Sequence, residues 1–320
     1  MFKKKRSKLI IGWLSIAVVL GVGLYLFYNT RGQLSFALQL RSQRIPAFFI
    51  VGTSTTIATI IFQTMTRNHI LSPSIIGLDS LFVFIQTSTI FFFGARSLLI
   101  TNKPLNFILS VSVMLLVGLG LFYLFFKRYA GRIFLLLMTG VIFGTLMRHL
   151  TTFMQALIDP NEFQSVLAQT LPSFNKIDQT LIVLTVGICT PIIAYLFKIS
   201  STLDVLHLGD DYAQNLGVPV QQVQFKLFLL ISVLTAVSTA LVGPMTFLGF
   251  IGANVSYQLL KTYKHAVLLI GGSLITIVIL LYSQLIIEHL LPFRTNVGVV
   301  IELIGGVYFL SMLLKERSQL

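Results

Sequence analysis

Apolar runs of about twenty residues recur along the whole of this chain, and that recurrence narrows the possible folds to one kind. A run of that length spans a bilayer as an α-helix, whereas the strands of a membrane barrel alternate over roughly ten residues. Charged residues make up 10% of the 320, against roughly 25% in a soluble domain, and mean hydropathy is +0.89. The expectation is an all-α polytopic membrane protein: a single transmembrane domain over residues 1–320 with about ten helices.

The runs fall at about 9–28, 46–65, 75–93, 105–126, 133–153, 179–197, 224–242, 243–260, 266–287 and 297–314. The eighth is rich in glycine and short for a crossing, so a broken or short helix is expected there. Lys3, Lys4, Lys5, Arg6 and Lys8 precede the first run, which is long for a signal peptide and lacks a small-x-small cleavage site, so it reads as a retained span. With both termini in the cytoplasm, 15 of the 23 Lys and Arg residues lie inside and eight outside, the direction of the positive-inside bias. The formal charge of +13 then reflects membrane topology and not nucleic-acid binding. Residues 29–44 and 154–178 become external stretches. Spans two to five and seven to ten would run in opposite senses, as in inverted-repeat transporters.

Residues 203–225, LDVLHLGDDYAQNLGVPVQQVQF, form the longest polar interval that reads as folded. Asp210 and Asp211 after Gly209 can start a helix, as a cap and as charges matched to its dipole. Ala213 and Leu216 follow at helical spacing, Gly217 supplies a left-handed end, and Pro219 stops continuation. A compact helix with an apolar edge outside the membrane suits contact with another protein. A connector lying on the bilayer surface is the plainer alternative.

No catalytic constellation or phosphate-binding loop is present. Cys189, the single cysteine, sits in an apolar run. The five histidines, His69, His149, His207, His265 and His289, read as scattered boundary residues and not as a ligand set. Two acids stand within or beside spans. Asp79 either caps the third helix or serves the pathway. Glu302 has apolar neighbours on both sides, and its cost in hydrocarbon predicts that it faces the bundle interior. Thr53, Ser54, Thr55, Thr56, Thr59 and Gln63 form a polar stripe, which either lines a pathway or bonds back to its own helix. Gly140 and Gly144, and Gly298 with Gly305 and Gly306, allow close helix approach. Arg41 and Arg44 either meet lipid headgroups or dock acidic groups of an extracytoplasmic partner.

The residues resemble a family: the membrane subunits of ABC importers for iron-chelates, haem and cobalamin. The similarity runs from Leu40 onward. The family's coupling segment Leu-Gly-x-x-x-Ala-x-x-Leu-Gly-Val is matched by Leu208-Gly209-Asp210-Asp211-Tyr212-Ala213-Gln214-Asn215-Leu216-Gly217-Val218. Its external Arg-x-Pro-Arg region resembles residues 41–46, with Arg44-Ile45-Pro46 aligned. Its glutamine, Arg-Asn-Pro-Leu-Ala-x-Pro and Gly-x-Ser resemble Gln63, residues 67–73 and Gly77-Leu78-Asp79. Gly243 to Phe250 and Leu291-Pro292 resemble two further motifs, whereas Ala253-Asn254 stands where the family has Pro-His and then Arg.

The resemblance implies a type II ABC importer permease in a bacterial cytoplasmic membrane, itself non-catalytic, with no cofactor or metal of its own. It implies two cytoplasmic ATPases, which bind the ATP, a second permease that is the same chain or a different one, and an extracytoplasmic binding lipoprotein. The expected substrate is an iron-siderophore, with haem or cobalamin as the alternative, moved by alternating access. Gly209, Asp210, Asp211, Ala213, Leu216 and Gly217, within the cytoplasmic segment of about 200–223, would contact the ATPase. Thr55, Thr59, Gln63, Asn68, Asp79, Asn254 and Glu302 would serve the path, and Arg41 and Arg44 the binding protein. The departures point to a divergent branch, such as one that works beside a second, different permease. The rival to an ATP-driven permease is a proton-coupled secondary transporter with Asp79 and Glu302 as its relay.

Overall fold

The computed structural model describes residues 2–29, 34–128, 133–175, 177–290 and 296–317. In chain order the helices are α1 (Phe2–Phe27), α2 (Leu34–Thr66), α3 (Leu78–Phe93), α4 (Leu98–Thr101), α5 (Lys103–Arg128), α6 (Ile133–Leu157), α7 (Pro160–Thr170), α8 (Gln179–Lys198), α9 (Ser200–Leu206), α10 (Asp210–Asn215), α11 (Val220–Val242), α12 (Thr246–Leu260), α13 (His265–Leu290) and α14 (Val297–Arg317). Among the described residues, α1, α2, α5, α8, α11, α13 and α14 hold segments long and apolar enough to cross a membrane. The apolar α6 and the shorter α3 and α12 bring the set to the ten that the sequence predicts.

The most apolar window of α2 is 72% buried, that of α1 only 17%. So α2 is the axis of the bundle, packed by α11, α12 and α13, while α1 and α14 present apolar faces outward. Close packing depends on small residues: Gly249 and Gly252 of α12 leave no room for a Cβ against Thr55, Thr59 and Thr276.

Two of these ten are shorter than the hydrocarbon core is thick. At 1.5 Å per residue, α3 (16 residues) and α12 (15 residues) span about 24 and 22 Å, against a hydrocarbon core of about 30 Å. Each begins after a break: the 3-10 turn Pro73–Ile76 with Gly77 before α3, and Gly243-Pro244-Met245 before α12. Gly77 has φ +88°, and a Cβ there would lie 2.7 Å from the Cα of Gly144. The Gly140/Gly144 pair is therefore what lets the break before α3 lie against α6.

Three expectations are corrected. The second helix starts at Leu34 and not at Pro46, so Arg41 and Arg44 of the expected external stretch lie on α2. The chain reads through Pro46 without ending the helix. The fifth helix runs on to Leu157 and not to Phe153, and the stretch after it holds α7, which Asp159 caps by accepting the Asn161 N–H at 2.8 Å, with Pro160 in the first position. Finally, the third span begins at Leu78 and not at Ile75. Arg31, Arg132, Lys176, Arg294 and the Leu291-Pro292 motif fall outside the described residues.

Candidate functional site: a central cleft and a projecting knuckle

The knuckle is built by local rules. Gly209, with φ +120°, precedes α10, and Gly217, with φ +83°, follows it. The Val218 N–H donates to the Ala213 carbonyl and the Gly217 N–H to the Gln214 carbonyl, both at 2.9 Å, which closes the last turn as a Schellman motif. Ala213 is fully buried among the residues of α9 and α11, whereas Leu208, Tyr212 and Leu216 are 60%, 68% and 63% exposed. Tyr212 and Leu216, four apart, share one face of α10 and its end, and Leu208 is exposed just ahead of that helix; together they are the apolar stripe of the knuckle.

Asp210 does not cap α10, as its sequence position suggested; Gly209 occupies that place. Its carboxylate instead takes the Arg67 guanidinium at 2.6 Å and the Gln224 amide at 3.3 Å. Arg67 is itself left-handed, φ +51°, and ends α2 in a turn that the Asn68 N–H closes by donating to the Gln63 carbonyl. The knuckle is thereby tied to the central helix α2 and to α11.

Three of the five histidines converge beside it. His265 meets Asp204 through Nδ1 at 2.7 Å and Thr64 through Nε2 at 2.8 Å. The His207 ring lies 5.9 Å from that of His265 and 6.4 Å from that of His69. These rings line a cavity of about 270 Å³ with Tyr257 and Lys261. Among the described residues no group of three or more His, Cys, Asp or Glu has the geometry of a metal site.

The second part of the site lies where α3 and α12 begin. Asp79, in the first turn of α3, is buried, and no side chain caps that helix. Its carboxylate accepts the Thr239 hydroxyl at 3.1 Å and the Thr246 hydroxyl at 3.3 Å. Thr246 is the first residue of α12, and its N–H donates to Glu302 of α14 at 2.8 Å. Glu302 therefore faces the bundle interior, as its sequence setting predicts, and it fills the positive end of α12. Thr239 and Thr246 were not singled out from sequence. The signal was the Gly243-Pro244 break, which marks a helix start next to Thr246.

Of the residues assigned to the path, Thr55, Thr59 and Asp79 line this one small cleft. Gln63 and Asn254 do not: both donate to the His69 carbonyl, at 2.6 and 3.1 Å, and brace the segment that leads to Pro73. Asn68 accepts the Ile70 N–H at 2.8 Å in an exposed turn. At the opposite end of the bundle from the knuckle, Arg41 and Arg44 both reach Glu288, at 3.6 and 3.2 Å. Arg41 also donates to the carbonyls of Tyr25 and Tyr28 and lies over the Tyr25 ring. The two arginines thus serve the protein's own packing as well as any partner.

A helical bundle with two broken helices meeting at a polar cleft, and a projecting knuckle beyond it, is the class of structure that suits a membrane permease. The chain belongs to the FecCD transport family, whose family model matches residues 9–315. It is 42% identical over 313 residues, 98% of this chain and 99% of the relative, to the petrobactin import system permease protein YclO of Bacillus subtilis (strain 168). It is 27% identical, over 92% of this chain and 90% of the relative, to the petrobactin import system permease protein YclN of the same organism. A solved inward-facing transporter of the metal-chelate ABC type superposes with a TM-score of 0.82, over 97% of this chain and 99% of that one, at 23% identity. That likeness bears on the fold.

Proposed function

We propose that this chain is one half of the permease of an ATP-driven importer for petrobactin or a closely similar iron-siderophore, and that a different permease chain supplies the other half. The observation that carries this is the unequal similarity to two permeases of one petrobactin system, 42% to YclO against 27% to YclN. A system with two distinct permease proteins has room for one chain of each kind, and this chain is of the YclO kind.

The geometry supports the mechanism. The iron arrives already held by its chelator, so the permease needs width and weak polar contacts, not metal ligands. Two cytoplasmic ATPases grip the stripe Leu208, Tyr212 and Leu216. Movement of α10 passes through Arg67 to α2 and through Gln224 to α11, both of which wall the cleft. The cleft opens to one side at a time. In this reading the termini and the knuckle are cytoplasmic, and the Arg41–Arg44–Glu288 end faces the binding lipoprotein.

The experiment is uptake into vesicles holding this chain, a YclN-type partner, the ATPase and the binding protein. ATP-dependent uptake of iron-petrobactin, exceeding that of haem, cobalamin and ferric citrate and lost when the second permease is omitted, is expected. Full uptake by this chain without a second permease, or equal uptake of all four substrates, contradicts the reading.

A further inference from the structure

The cleft between α2, α3, α11 and α12 has a free volume of about 20 Å³, room for one water-sized occupant. Its lining is short of donors. The Thr55 hydroxyl proton goes to the Val51 carbonyl and that of Thr59 to the Thr55 carbonyl, each at 2.8 Å. The hydroxyls of Thr239 and Thr246 donate to Asp79, to which the Ser74 side chain is also hydrogen-bonded. What these side chains have left to offer the cleft is oxygen lone pairs. Ser238, 2% exposed, also lines it, and its hydroxyl oxygen has no hydrogen-bond partner.

Charge points the same way. Asp79 lines the cleft, and Glu302 stands behind the lining, joined to Asp79 through Thr246; ionised, the two bring two negative charges to this place. The N-termini of α3 and α12 offset them by about half a charge each. Roughly one negative charge remains, and among the described residues no Lys, Arg or His lines the cleft. A carboxylate in hydrocarbon without a compensating charge is costly. Oxygen donors in this number, one surplus charge and one atom-sized space fit a hard monovalent ion better than a divalent one.

We propose that a monovalent cation of sodium size sits in this cleft, held by the Asp79 carboxylate with the hydroxyl oxygens of Ser238, Thr55 and Thr59. It joins the starts of α3 and α12 across α11. This ion is a fixture of the permease and not its cargo, so the proposal does not depend on which siderophore is carried.

The test is thermal unfolding of the permease assembly as isolated from its membrane, with no substrate. Sodium chloride is titrated against choline chloride at constant ionic strength and fixed pH. The expected result is a saturable rise in Tm of about 3 °C or more with sodium, absent in Asp79→Asn, with half-saturation moved about tenfold upward in Ser238→Ala. Where Asp79→Asn does not fold, the wild-type and Ser238→Ala titrations decide. A Tm that follows pH but does not distinguish sodium from choline means a proton on Asp79 and overturns the proposal. A Tm that responds to neither means a water only, and overturns it equally.

Discussion

Arg67 and Asp210 are 143 positions apart and meet at 2.6 Å, joining the end of the most buried helix to the first turn of the projecting one. Both side chains are about half exposed, 48% and 43%, so the pair contributes at most about 1 kcal/mol to stability. Its consequence is mechanical. Arg67→Ala and Asp210→Asn are expected to leave Tm nearly unchanged yet lower siderophore uptake several-fold, with the double mutant no worse than either single one. Additive losses in that cycle, read from vesicle uptake, would show that the two side chains act separately.

Gly217 isolates a backbone effect. Its φ is +83°, and a Cβ placed there meets nothing within 4 Å. Any cost of Gly217→Val is therefore conformational, about 1–2 kcal/mol for a left-handed L-residue, with a larger penalty for a β-branched side chain. The expected outcome is ATP hydrolysis that no longer drives uptake. Gly217→Asn, which tolerates this conformation, restores most of it. The ratio of substrate imported to ATP consumed is the measurement.

Glu302 accepts the first N–H of α12. Glu302→Leu strands that donor inside the protein, at a cost of about 1–3 kcal/mol. Glu302→Gln keeps an oxygen in place and is expected to recover more than half of the loss. Thermal unfolding in choline chloride checks this and keeps any sodium effect out of the comparison. Equal stability of the Leu and Gln variants would mean that the cap is not the source of the effect.

What the sequence made legible was whatever is encoded locally. The apolar runs located the ten apolar helices, the glycine-rich, short run at 243–260 predicted the short eighth span, and Gly209, Gly217 and Pro219 bounded α10. An acid flanked by apolar residues had to turn inward, and Glu302 does. The choice of partner was not legible, because hydropathy reports burial and not what lies opposite. Glu288 meets Arg41 and Arg44 from 244 or more positions away, and the stretch that carries both arginines is a continuation of α2. Gln63 and Asn254 look like pathway residues on their own helices, yet they converge on one backbone carbonyl of a third segment. Histidines far apart in the chain, His69, His207 and His265, become neighbours only once α2, α9 and α13 meet.

The stripe Leu208, Tyr212 and Leu216 is the surface through which the proposed ATPase acts, and it holds no part of the core. Tyr212→Glu with Leu216→Glu should leave the Tm of the permease unchanged. In co-purification from detergent, the ATPase should remain on the wild type and be lost from the variant, at least tenfold.

The most direct measurement is accumulation of iron-petrobactin in vesicles that contain the permease, the binding protein and internal ATP, with and without the ATPase. Accumulation that appears only with the ATPase, and disappears in the Tyr212→Glu, Leu216→Glu variant, is the predicted result. Accumulation without the ATPase, driven by an imposed proton gradient, would contradict the account.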